Sequence, residues 1–144
     1  MGKRLVIQGA DFRESAIVRE FYTLELMQSF YALTTGYVNE STYRFGSASL
    51  LKLNKGDVIT FKGLDKNNLP LYVEWACYIE NSATTSKFKT ASHNTFVNNA
   101  EGRDEFSLVI PDSGYYGFSF ANNPTKNTTP CLAAEYAPIK YVVE

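Results

Sequence analysis

The feature that most constrains this chain is an alternation of apolar and polar residues in several short runs. The longest run spans Leu71 to Ile79 and places Val73, Trp75 and Cys77 on one side of an extended chain. Because side chains alternate between the two faces of a sheet, this run predicts a strand with one buried face. Four further runs also predict strands: Val58–Lys62, Phe106–Ile110, Tyr116–Phe120 and Ile139–Val143. Trp75 is expected to be buried with Val73, Phe61 and Phe118, which share the apolar parity of their strands.

Turn-forming residues separate these runs. Pro111–Gly114 stands between Phe106–Ile110 and Tyr116–Phe120, which predicts that the two strands form a hairpin. Roughly seven or eight short strands without a repeated helical pattern indicate an all-β fold. The sequence therefore predicts an antiparallel β-sandwich, jelly-roll-like, with at most a short N-terminal helix.

Polar stretches and the N-terminal region complete the predicted organisation. Asn81–Ser92 and Asn122–Pro130 are predicted to be long loops, the first with a short strand at Phe88. The short helix is expected near Glu14–Glu20, where Asp11 precedes Glu14 by three residues. Residues 1–22 are predicted to form an N-terminal strand and docking segment, and residues 23–144 the jelly-roll sandwich.

Charge and hydropathy exclude several classes of partner. The chain has 144 residues and a net charge of −1 without a block of Lys or Arg, so no nucleic-acid partner is expected. No apolar run reaches the roughly 18 residues of a transmembrane helix, so no membrane insertion is expected. The N-terminus has a basic start but lacks the apolar core of a signal peptide. This predicts a protein that acts inside the cell or leaves it by another route.

No group of residues predicts catalysis or metal binding. The single histidine, His93, follows Ser92 directly, and neighbours along a strand point to opposite faces. One histidine and two distant cysteines, Cys77 and Cys131, lack the spacing of a zinc site, and a disulfide between the two is left open. Glu74 and Glu80 lie roughly 20 Å apart on an extended strand, too far for a pair of glycosidase acids. We therefore expect no enzyme, no cofactor and no metal.

The aromatic residues offer the remaining functional lead. Tyr72, Glu74 and Tyr78 lie on the face of their strand opposite to Trp75, and Tyr115 lies at a turn. These four residues predict a solvent-facing sheet surface or a subunit interface, because Tyr is frequent at buried contacts with a wet edge. The alternative is a ligand-binding platform, on which exposed rings cover the apolar face of a sugar.

Several segments resemble small proteins of gut-bacterial phages and prophages. Leu5–Phe12 is similar to their opening "I-I-K-G-A-D-F", and Leu53–Gly63 resembles their "v-kkGD-I-t-kG" strand. Trp75–Ser82 looks like their "a-FYD-n" strand, with Tyr78-Ile79-Glu80 in place of the usual Tyr-Asp pair. Phe106–Tyr116 is similar to their "f-tvP-ga-yi" hairpin. The resembling proteins look like tail, fibre or other surface proteins, which implies a jelly-roll domain without shared catalytic residues.

This resemblance leads to a functional expectation. We expect a non-enzymatic virion structural or host-attachment protein, located in the virion after assembly in the host cytoplasm. Its expected partners are further copies of itself, other virion proteins and a host surface glycan. Leu5, Val6, Ile7 and Phe12 are the predicted docking residues, although Leu5–Ile7 could equally be an edge strand of its own sheet. The alternative function is a monomeric carbohydrate-binding module.

Overall fold

The computed structural model describes residues 19–66, 69–82, 88–97, 104–123 and 126–144. Within these ranges the chain forms short strands and one short helix. The strands are β1 (Tyr22–Leu24), β2 (Leu26–Met27), β3 (Ser29–Tyr31), β4 (Val38–Glu40), β5 (Phe45–Ser47), β6 (Leu51–Leu53), β7 (Val58–Lys62), β8 (Asp65–Lys66), β9 (Leu69–Pro70), β10 (Tyr72–Tyr78), β11 (Phe88–Val97), β12 (Glu105–Val109), β13 (Gly114–Ala121) and β14 (Ile139–Val143). The helix is α1 (Ala133–Tyr136).

The strands form two principal antiparallel sheets. The small sheet has the order β1-β14-β7-β12, and the large sheet has the order β11-β10-β13-β5-β2, with β6 also paired to β13. The strands β3 and β4 form a separate two-stranded ribbon, as do β8 and β9. The predicted all-β antiparallel sandwich is confirmed.

The core lies between the inner faces of the two sheets. Phe61 of β7 packs edge-on against Phe118 and Phe120 of β13, with ring centroids 4.9 Å and 5.6 Å apart. Trp75 and Val73 of β10 belong to the same buried cluster, as the alternation predicted. Burial of aromatic rings from both sheets is the main contribution to the stability of such a sandwich.

A tight turn joins β6 to β7. Gly56 has a φ of +92°, a conformation that residues with a Cβ rarely adopt. The Asp57 carboxylate accepts a hydrogen bond from the Asn54 N–H at 2.8 Å, which closes the turn.

The predicted hairpin between Phe106–Ile110 and Tyr116–Phe120 is wrong. β12 pairs with β7 in the small sheet, whereas β13 pairs with β10 in the large sheet. The residues between them form an arch that carries the chain across the core, where Ile110 is buried. β12 and β13 each have one apolar face. When the two strands lie in opposite sheets, these faces are buried against each other in the core.

Three further predictions concern a loop, a helix and a domain boundary. β11 occupies Phe88–Val97, so residues 88–92 of the predicted loop Asn81–Ser92 belong to a strand. The predicted helix Glu14–Glu20 lies mostly outside the described residues, and Arg19 and Glu20 are not helical. The predicted domain boundary after residue 22 falls within β1.

Candidate functional site

The predicted ligand platform lies on the outer face of the large sheet, beneath further chain. Tyr78 of β10 is paired with Tyr115 of β13, while Tyr72 lies at the opposite end of β10. Tyr72 and Tyr115 are half-buried, but Glu74 is only 4% exposed and Tyr78 is fully buried. The prediction of a solvent-facing platform is therefore wrong for Glu74 and Tyr78.

The ribbon formed by β3 and β4 provides the cover. Tyr31 of β3 donates its N–H to the Ser119 hydroxyl at 2.9 Å and its own hydroxyl to the Ser47 carbonyl at 2.7 Å. Its ring lies so close to Gly117 that a Cβ there would be 2.7 Å from the ring atoms. The Tyr78 hydroxyl donates to the carbonyl of Gly36 at 2.7 Å, in the loop of the ribbon. These contacts hold the ribbon against the large sheet.

Small residues on the outer parity of the strands are the sequence signal for this cover. Gly46, Ala76, Gly117 and Ser119 all occupy positions whose side chains face away from the core. A solvated sheet face usually carries larger polar side chains, so such a patch indicates close approach of another chain segment. The ribbon itself was not predicted, because β3 and β4 have only three residues each.

Glu74 is a buried carboxylate paired with an arginine. Nη1 of Arg44 lies 3.4 Å from Oε1 of Glu74, and the Arg44 guanidinium also lies over the Phe30 ring at 5.0 Å from its centroid. Burial raises the pKa of Glu74 to about 7, which outweighs the opposite effect of the Arg44 charge. The pair ties β10 to the segment that follows the ribbon.

Gln28 joins three distant segments. Its Nε2 lies 2.9–3.0 Å from the carbonyl oxygens of Ser41, Arg44 and Cys131, so its two N–H groups are shared among three acceptors. Its Oε1 accepts from the Ala133 N–H at 2.8 Å. All polar atoms of this side chain are therefore used inside the protein, which favours a structural role over ligand binding.

Two open grooves lie on either side of Gln28. One, of about 450 Å³, is mainly apolar and is lined by Leu24, Leu26 and the alanines of α1. The other, of about 560 Å³, is lined by polar residues that include Ser29 and Glu40. Neither groove contains the predicted platform residues.

A short segment before β1, the strap (Arg19–Phe21), crosses the outer face of the small sheet. The Arg19 guanidinium lies 3.7 Å from a Glu105 oxygen and 3.4 Å from a Glu144 oxygen. The Lys62 ammonium lies 4.5 Å from the centroid of the Phe21 ring. Thr60, on this outer face, is only 1% exposed, which agrees with cover by the strap.

β12 is an edge strand, because no other strand in the described ranges pairs with its second side. Its register with β7 runs through five pairs without a shift. By contrast, β11 is the edge of the large sheet and has two register shifts against β10. Bulges protect an edge from pairing with another chain, and β12 lacks them. Val109, in β12, is 63% exposed.

Hydrogen bonds at both ends of β12 determine which backbone groups face outwards. The Ile110 N–H donates to the Asp57 carbonyl at 2.7 Å, and the Asp104 carbonyl accepts from the Leu64 N–H at 3.1 Å. The Asp104 carbonyl and the Ile110 N–H therefore point towards β7 and the residues next to it. Backbone direction alternates along an antiparallel strand, so Glu105, Ser107 and Val109 direct theirs to the open edge.

The remaining predicted sites have simple outcomes. The docking residues Leu5, Val6, Ile7 and Phe12 lie outside the described residues. Cys77 and Cys131 are both buried and do not form a disulfide. The described ranges contain no cluster of three or more His, Cys, Asp or Glu side chains suited to a metal ion. No helix in the described part of the chain is long and apolar enough to span a membrane.

Comparison with family models, curated proteins and solved structures found no match to this chain.

Proposed function

We propose that this protein is a non-catalytic structural or host-attachment protein of a phage-type virion, and that it acts by assembling with further copies of itself. The observation that carries the assembly is the regular edge of β12, with three residues whose backbone groups face outwards and with Val109 exposed. Such an edge favours pairing with another strand, because an added strand can form hydrogen bonds with the outward N–H and carbonyl groups of β12.

The virion setting is supported by the resemblance of Leu5–Phe12 and the later segments to phage and prophage surface proteins. Under this proposal the protein is located in the virion, with copies of itself and other virion proteins as partners. A host surface glycan is a further partner of the attachment role. The polar loop around Asn122–Pro130, with Lys126–Pro130 exposed, offers an outward surface for that contact.

The solution mass of the full chain tests the proposal. We expect sedimentation velocity to show an oligomer that dissociates on dilution. A species with the 16.2 kDa mass of one chain at every concentration would contradict assembly.

The alternative, a monomeric carbohydrate-binding module, depended on a platform of exposed rings and a carboxylate. Glu74 and Tyr78 are buried under the ribbon, so the platform does not support this function.

A further inference from the structure

The strap gives the direction in which the N-terminal segment leaves the sandwich. Tyr22 lies in β1, at one edge of the small sheet, and the Phe21 ring contacts Lys62 of β7. Arg19 then contacts Glu105 of β12, at the opposite edge. Followed backwards from β1, the strap runs over the outer face towards β12, which the Arg19 side chain reaches.

The length of the preceding segment permits contact with a neighbouring molecule. Eleven residues, Gln8 to Val18, separate the apolar run Leu5–Ile7 from Arg19. Extended, they reach roughly 36 Å, which exceeds the roughly 30 Å diameter of a small domain. Leu5–Ile7 of one copy can therefore reach the β12 edge of another.

We infer that Leu5–Ile7 of one copy docks as an added strand on the β12 edge of a second copy. This inference rests on the proposed function and names the contact through which the copies assemble. Each copy then gives one strand and receives one. Exchange of the same element between identical chains covers the β12 edge of every copy.

The added strand has a defined set of partners on its acceptor. Its backbone bonds to the outward N–H and carbonyl groups of Glu105, Ser107 and Val109. Val109, 63% exposed on the acceptor, supplies an apolar side chain for contact with the apolar run of the donor. The Glu105 carboxylate lies 3.7 Å from Arg19 and 3.8 Å from Lys62, and these two cations offset part of its charge beside an apolar strand.

Proline at residue 107 tests the acceptor edge without removing a hydrogen bond to β7. Ser107→Pro removes an N–H that faces outwards, and proline is tolerated in a strand at such a position. We expect the self-association constant of the full chain to fall by about tenfold or more. Ser107→Ala is the matched control, because it loses only the hydroxyl that lies 2.7 Å from the Thr60 hydroxyl. We expect this control to associate like the wild type.

Two further measurements keep the test decisive if Ser107→Pro does not fold. Val6→Pro in the full chain, compared with Val6→Ala, tests the donor strand and should weaken association by a similar factor. In the wild type, hydrogen exchange should show slow amides at Glu105, Ser107 and Val109 in the oligomer. These amides should become fast on dilution to monomer.

The outcomes separate this inference from the proposed function. An oligomer that neither proline variant weakens overturns the exchanged strand and leaves assembly intact. A monomer with slow outward amides on β12 shows that the segment pairs within its own chain and overturns both. A monomer with fast outward amides also overturns both.

Discussion

At the scale of single residues, Glu74 shows how surroundings determine protonation. The sequence places Glu74 on the outer face of the large sheet, yet the ribbon removes its carboxyl from water. Burial favours the neutral acid and raises its pKa from an ordinary value of 4.5 to about 7, although Arg44 is near. The folded protein therefore binds this proton more tightly than the unfolded chain does.

This shift predicts a pH-dependent stability with a definite sign. Because the folded pKa lies above the unfolded one, the contribution of Glu74 is fully present below pH 4.5 and is lost as the pH rises through about 7. Its full size is on the order of 3 kcal/mol, from the shift and roughly 1.4 kcal/mol per pH unit. Glu74→Gln should remove this dependence, so the variant should gain stability relative to the wild type between pH 5 and pH 8.

Denaturant unfolding at the two pH values measures this effect. Glu40→Gln is the matched control, since it removes an exposed carboxylate from β4. If both variants change the pH dependence equally, burial of Glu74 is not its cause.

The two cysteines give a second prediction at this scale. Cys77 and Cys131 are both fully buried, and burial raises the pKa of the Cys131 thiol to about 12. A thiol must ionise and be accessible to react, so neither should react with a thiol reagent in the native protein. Both should react after denaturation, and the same two thiols should be recovered after mild oxidation. Rapid reaction of the native protein would show that one of them is accessible.

At the scale of elements, the contact between the ribbon and β13 is the tightest feature of the outer face. A Cβ at Gly117 would meet three atoms of the Tyr31 ring at 2.7 Å. Gly117→Ala should therefore push the ribbon away or strain it, at a cost of about 1–3 kcal/mol.

A double-mutant cycle with Tyr31→Ala isolates this contact. Once the ring is removed, an added methyl group at residue 117 has room, so most of the cost of Gly117→Ala should disappear. Unfolding free energies of the two single variants and the double variant provide the measurement. Equal costs in both backgrounds would mean that the alanine acts through the backbone of β13.

The strands that the sequence predicted share one property. β7, β10 and β14 lie inside their sheets and alternate over five or more residues, so their period is visible. Strands of two or three residues, such as β2 and β3, are too short to show a period and depend on tertiary contacts. The strand identity of β12 was predicted correctly, but its partner was not. A short turn in the sequence does not distinguish a hairpin from an arch between facing sheets.

The candidate site was less predictable than the fold. Alternation placed Tyr72, Glu74 and Tyr78 correctly on the outer face of β10, but it does not show whether that face is covered. The cover comes from residues far away in the sequence, among them Tyr31 and Arg44. The β12 edge depends on the order of strands in the sheet, which local sequence does not contain.

At the scale of the whole molecule, assembly and stability should be linked. Copies that associate only when folded shift the unfolding equilibrium by mass action. Under the proposed exchange of strands, we expect the melting temperature to rise over an about hundredfold increase in protein concentration. Ser107→Pro should weaken this rise, and Ser107→Ala should preserve it. A melting temperature that is independent of concentration in the wild type would argue against folding-coupled association.

The position of β14 has a consequence for how this protein comes to fold. The small sheet has the order β1-β14-β7-β12, so the last strand along the chain fills an interior position between β1 and β7. Its register joins Leu24 to Ile139 and Ile59 to Val143, across most of the sequence. Contacts of such long range form slowly. During synthesis on the ribosome, β1 and β7 therefore remain without their shared neighbour until Ile139–Val143 emerges, and the small sheet closes only after that.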